Sequence, residues 1–186
     1  MRKLALVSLL LTSCASNPIN MPECWEVIGH RGSGSSVPLL QKDGKLWLLT
    51  AKHNLPLTMA GKLKIIDQVR HPTLDIALIS VRGTARVIRI SSNDAELGDK
   101  LFAAGYQLRM LMITDGYKAK GKGLMSCPIL FGASGGPVWN SDGELVGIIR
   151  GVWQMRTLKK DIQVIPHISL YVPVVGLQEW IDKIIG

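Results

Sequence analysis

Acidic residues are scarce in this chain: 14 Asp and Glu stand against 22 Lys and Arg, which leaves a formal charge of +8. A surplus of that size can draw a protein toward anionic surfaces or polymers. Aromatic residues are scarce as well, with five Trp, three Tyr and two Phe in 186 residues, and no ring lies between the cations Lys118, Lys120 and Lys122 or within the pair Lys159 and Lys160. Without interleaved rings or a base-reading motif, no nucleic-acid partner is expected, and the cations read as a solvated face. Repeats, low-complexity tracts and linkers are absent. The chain therefore reads as one domain, large enough to bury a sizeable core.

Long apolar runs are also lacking. Leu4 to Leu11 is too short to cross a bilayer as a stable helix. It follows Arg2 and Lys3 and precedes Thr12-Ser13-Cys14, the charged, apolar and small-residue order of an export signal. With a cysteine at its end, the segment looks like a bacterial lipoprotein signal. Cleavage would then remove residues 1–13, Cys14 would carry lipid, 14–24 would form a tether and 25–186 the folded domain. An ordinary cleaved signal or an N-terminal strand are the competing readings. The expected location is the cell envelope, held to the membrane through that lipid and facing the periplasm, or else free in the periplasm or secreted. Once Cys14 is set aside, Cys24 and Cys127 are the remaining cysteines. In an exported protein this even pair could persist as a disulfide, or the two could be separate buried thiols.

What the chain has in quantity is glycine and turn signals. With 19 Gly, 9 Pro and short Val/Ile/Leu runs between them, it reads as mainly β. Strands are predicted near 26–28, 35–40, 46–50, 62–69, 75–81, 85–90, 101–106, 136–139, 144–151 and 167–172. Hairpin turns are predicted at Asp43-Gly44 and at Asn140-Ser141-Asp142-Gly143. Asp115-Gly116 and Gly121-Lys122-Gly123 read as loop signals. Leu177, Trp180, Ile181, Ile184 and Ile185 recur on one face of a C-terminal helix, which is expected to pack on the second half of the fold.

The chemistry concentrates in Phe131-Gly132-Ala133-Ser134-Gly135-Gly136-Pro137-Val138. A serine hydroxyl becomes a good nucleophile only if a base takes its proton while N–H groups meet the oxyanion that forms. Gly132 can take φ > 0 and aim its N–H, with that of Ser134, into one small hole, while Gly135 and Gly136 would let a substrate lie close. Two upstream segments supply the other groups. His53 closes Thr50-Ala51-Lys52-His53 after the apolar run Leu46 to Leu49, and Asp75 stands at the mouth of Ile76-Ala77-Leu78-Ile79. His30, His71 and His167 lack the Thr-Ala context of His53, and Asp67 lacks the apolar strand directly behind Asp75. The order His, Asp, Ser separates this constellation from those of subtilisin-like and α/β-hydrolase enzymes.

These residues resemble a trypsin-like serine endopeptidase of the compact bacterial and viral type, similar to the protease domain of Deg-type proteases. That family carries Thr-Ala-Ala-His, Asp-Ile-Ala-Leu and Gly-x-Ser-Gly-Gly-Pro, and here the one departure is Lys52 in the histidine motif. The resemblance covers roughly Trp25 to the C-terminus. It implies an all-β, chymotrypsin-like fold of two packed six-stranded β-barrels with a C-terminal α-helix. It also implies catalysis by His53, Asp75 and Ser134, an oxyanion hole at Gly132 and Ser134, a polypeptide substrate, and no need of metal or organic cofactor. The specificity pocket is expected from Cys127, Pro128, Ile129, Leu130 and Phe131 and from Arg150, Gly151 and Val152. No carboxylate occurs in either stretch, so the residue before the scissile bond (P1) is expected to be aliphatic or small.

Overall fold

The computed structural model describes residues 21–30, 32–156 and 162–186, without the side chains of 154–156 and 162–166. The signal-like segment with Cys14, and the pair Lys159 and Lys160, lie outside the described residues. Strands β1 (Trp25–Gly29), β2 (Gly32–Lys42), β3 (Lys45–Thr50), β4 (Leu57–Ala60), β5 (Leu63–Arg70) and β6 (Ala77–Val81) close into a barrel in the order β1-β2-β3-β6-β5-β4. A second six-stranded sheet is built from β7 (Lys100–Gln107), β8 (Met110–Tyr117), β9 (Leu124–Met125), β10 (Pro137–Trp139), β11 (Leu145–Arg156) and β12 (Ile162–Pro173). Its order is β8-β7-β10-β11-β12-β9, and its two edges meet through a bridge between Lys118 and Met125 and a 2.9 Å bond from the Ser126 N–H to the Tyr117 carbonyl. This is the all-β, two-barrel fold that the resemblance implies.

The continuous apolar runs have a simple cause. On β3, Leu46 and Leu48 point into the first barrel with Ala77, Ile79 and Val81 of β6, while Trp47 and Leu49 point outward with Ile76 and Leu78. The outward set meets Ala104, Trp139, Leu145, Ile148 and Val172 of the second sheet, so these strands are buried on both faces and show no polar alternation. Leu101, Ala103, Met125, Cys127, Val138, Val146, Ile149 and Tyr171 fill the second barrel. The Asp43-Gly44 turn is realised with both residues at positive φ, 51° and 71°, as a two-residue hairpin of this twist requires.

Four expectations are corrected. Residues 85–90 are not a strand: the segment crosses between barrels, with the Ile88 N–H donating to Pro38 of β2 and the Arg89 carbonyl accepting from Leu145 of β11. Met110–Tyr117, read as loop around Asp115-Gly116, is the long edge strand β8, whose Met110, Leu111, Met112 and Ile113 are exposed and so leave no amphipathic pattern. The helix α1 (Gln178–Ile185) packs on the core shared by both barrels rather than on the second alone; Leu177 and Ile181 are buried there, and Trp180 meets the His71 ring edge-on at 4.9 Å. Cys24 and Cys127 are not bridged. They occupy separate cores, with Cys24 Sγ donating to the Ala104 carbonyl and Cys127 Sγ to the Leu101 carbonyl, and burial pushes both thiols up to about 12.

Candidate active site

His53 sits in a single 3₁₀ turn, Lys52–Asn54, that ends β3, and Asp75 stands just before β6. Because β3 and β6 pair with Thr50 opposite Ala77, the two side chains leave the same barrel end together. Asp75 grips His53 twice: its Oδ2 lies 2.7 Å from His53 Nδ1, and its Oδ1 accepts the His53 backbone N–H at 3.0 Å. Burial would raise the Asp75 pKa, but the bonds and charge from His53, helped by Arg150, outweigh it and hold the carboxyl below its ordinary value. The Arg150 Nε lies 3.7 Å from Asp75 Oδ2.

Two residues hold Asp75 in place, a role that sequence alone did not assign to them. His71, read as a strand-end rival to His53, accepts the backbone N–H groups of Thr73 (3.2 Å) and Leu74 (3.0 Å) at Nδ1, and thus shapes the turn that delivers Asp75. Burial and then the charge of Lys52 lower its pKa, as suits a ring nitrogen that must stay an acceptor. Lys52, the departure in the histidine motif, donates from Nζ to the His71 carbonyl at 3.2 Å and so ties the His53 turn to the Asp75 turn.

Ser134 comes from the second barrel. Its Oγ donates to the Arg150 carbonyl at 3.1 Å, and no bond joins it to His53, whose Nε2 has no protein partner among the described residues. Gly132 has φ +95°, and neither its N–H nor that of Ser134 is taken by a protein acceptor among the described residues. Two adjacent free donors beside a nucleophilic hydroxyl are what an oxyanion hole needs. Gly135, expected to make room for substrate, serves the fold instead: at φ +89° it lies so close to the first barrel that a Cβ there would collide with the Ser35 carbonyl and Thr50 Oγ1.

Further residues missing from the sequence reading join the barrels at this point. The Ser134 carbonyl accepts from the Ser35 N–H (2.8 Å) and from Asn54 Nδ2 (2.9 Å). Ser35, fully buried, donates from Oγ to the Gly132 carbonyl at 2.8 Å and accepts the Tyr106 N–H at 2.8 Å, while Thr50 Oγ1 donates to the Ser35 carbonyl at 2.7 Å. The available signal was a pair of hydroxyls, Ser35-Ser36, opening an otherwise apolar strand, since buried hydroxyls demand partners.

A cleft of about 390 Å³ opens at Ser134 and His53, walled by Leu130, Phe131, Arg150, Gly151, Val152 and Leu170. Cys127 and Ile129, expected in this wall, are buried in the second core, because the segment after β9 packs them inward, and Pro128 lies exposed outside the cleft, while Leu170 of β12 lines it instead. Among the described residues, no cluster of three His, Cys, Asp or Glu side chains could hold a metal ion.

Residues 32–148 match the trypsin-like peptidase domain family. No curated protein matches the whole sequence significantly. Among solved structures, the chain is similar to Rv3671c from M. tuberculosis H37Rv, a serine-to-alanine mutant in its inactive form, with a TM-score of 0.71, 13% identity and 91% of each chain covered. It is also similar to the serine endoprotease from Yersinia pestis, with a TM-score of 0.69 and 21% identity, over 88% of this chain and 63% of that one.

Proposed function

Because the chain belongs to the trypsin-like peptidase domain family, we propose that it cleaves polypeptides through Ser134 as nucleophile, His53 as general base and Asp75 as the group that orients the base. Membership makes it a serine-protease hydrolase; the division of labour within the cleft is our reading. The observation that carries it is the meeting of a carboxylate-held imidazole and a serine hydroxyl in one cleft, with the N–H groups of Gly132 and Ser134 unpaired among the described residues.

With Nδ1 held by Asp75, the His53 ring keeps Nε2 free to accept a proton, and Asp75 stabilises the imidazolium that results. The Ser134 hydroxyl turns from the Arg150 carbonyl to Nε2 and attacks the scissile carbonyl. The oxyanion then forms against the N–H groups of Gly132 and Ser134. His53 returns its proton to the leaving amine, and water repeats the sequence on the acyl-enzyme. The walls Leu130, Phe131, Val152 and Leu170 favour an aliphatic or small P1 residue, because a basic one would shed its hydration without finding a carboxylate. Labelling of purified protein with a fluorophosphonate, followed by mass mapping, should place the adduct on Ser134; no adduct, or one elsewhere, would overturn the assignment.

We further propose export and lipid attachment at Cys14, supported by the order Arg2-Lys3, Leu4 to Leu11, Thr12-Ser13-Cys14. No helix among the described residues is long and apolar enough to cross a membrane. The mature protein should partition into detergent and Cys14→Ala should abolish that partitioning; a wild-type protein cleaved at another site and free of lipid would refute it.

A further inference from the structure

Beside the P1 cleft, sharing His53, Arg150 and Leu170 with it, lies a second opening of about 540 Å³, and its charge is one-sided. Lys52, Lys122 and Arg150 line it, with Thr73, Leu74 and Leu170 between them. The one carboxylate in its wall, Asp75, is already committed to His53. Arg150 is 59% exposed, meets Asp75 only at 3.7 Å, and lines both this opening and the P1 cleft. Among the described residues Lys122 has no ion-pair or hydrogen-bond partner, yet its loop is fixed. Lys118, buried, donates to the Ala119 and Gly121 carbonyls at 2.7 and 2.6 Å, and the Gly123 carbonyl accepts the Tyr171 N–H of β12 at 2.8 Å. The tip is thus pinned with its lysine at the cleft.

Resting on the protease reading above, we propose that this opening is a subsite for a carboxylate side chain close to the scissile bond, so that the substrates are polypeptides in which an aspartate or glutamate flanks an apolar P1 residue. Cations held on pre-ordered backbone attract an anion with little ordering cost, and their effect falls as salt screens it.

The test compares peptides that differ only in Glu, Gln or Lys at each of three positions on either side of the scissile bond. At one position, Glu should give kcat/KM about tenfold above Gln at low salt, as two exposed ion pairs allow, and the ratio should shrink in high salt. Lys122→Glu should invert the Glu-to-Lys order there, whereas Lys64→Glu, outside the cleft, should keep it. Binding is measured separately on the Ser134→Ala variant by anisotropy of the fluorescein-labelled Glu and Gln peptides. Cleavage without any preference for Glu would overturn the subsite and leave the protease reading standing. Absence of cleavage with tighter binding of the Glu peptide would do the reverse, and equal binding of both peptides would sink the subsite whatever the kinetics.

Discussion

The two barrels differ in how they are closed and in what they carry. The first is ringed completely by hydrogen bonds and presents His53 and Asp75 at the ends of adjacent strands, so the imidazole and carboxylate are fixed to one rigid body. The second meets itself, among the described residues, through a single bridge, leaves Met110 to Ile113 on an exposed edge, and carries Ser134, Leu130 and Phe131 on the connection before β10 while the other cleft walls lie on β11 and β12. The His53–Asp75 pair is preassembled, whereas Ser134, the proposed nucleophile, depends on contacts that cross the barrel interface. Leu130 and Phe131 lie on a connection, where side chains facing the cleft can change without disturbing the His53–Asp75 bond.

If the second barrel contributes the nucleophile, Ser134→Ala should lower kcat by on the order of 10⁴ to 10⁶ while the thermal unfolding midpoint stays put. Activity close to wild type would break the division. Next in size is Gly135→Ala. Its positive φ and the barrel backbone against it leave no room for a methyl group, so the interface must open, at a cost of about 1–3 kcal/mol or more. Denaturant unfolding should show that loss together with reduced activity, and a neutral result would mean that the barrels are not fixed to each other there.

A sharper probe is Ser35→Ala. It removes the donor to the Gly132 carbonyl and the acceptor of the Tyr106 N–H, worth about 1–3 kcal/mol in a buried setting. If Ser35 positions the oxyanion loop, kcat and the rate of fluorophosphonate labelling should fall while KM changes little; a loss of stability with unaltered kcat would make Ser35 purely structural. The smallest effect is expected within the first barrel, at Asp67. Its hydrogen bond to Lys45, then that to Ser80, holds its pKa below the ordinary value of 3.8. A carboxyl depressed in the folded state adds stability above its unfolded pKa and loses it as pH falls through the folded value. Asp67→Asn should therefore cost up to about 1 kcal/mol at neutral pH, flatten the decline in stability below about pH 4, and leave kcat unchanged.

The sequence alone determined the β architecture and the three candidate side chains, because local chemistry writes them locally. Apolar runs between glycine-rich turns specify strands, and a histidine or aspartate at the mouth of such a run is placed by the strand itself. It missed β8 because an exposed edge strand with no buried face has no period to read. It set Cys127 and Ile129 in the P1 wall because the direction of a side chain near a loop depends on the register of its neighbours. Only the tertiary structure decided that Gly135 makes room for the other barrel, that Ser35 and Asn54 hold the Ser134 carbonyl, and that Lys122 and Arg150 face one opening. Each of these joins residues some 28 to more than 95 positions apart, and no local pattern of propensity or periodicity encodes a contact whose two halves meet only after both barrels have folded.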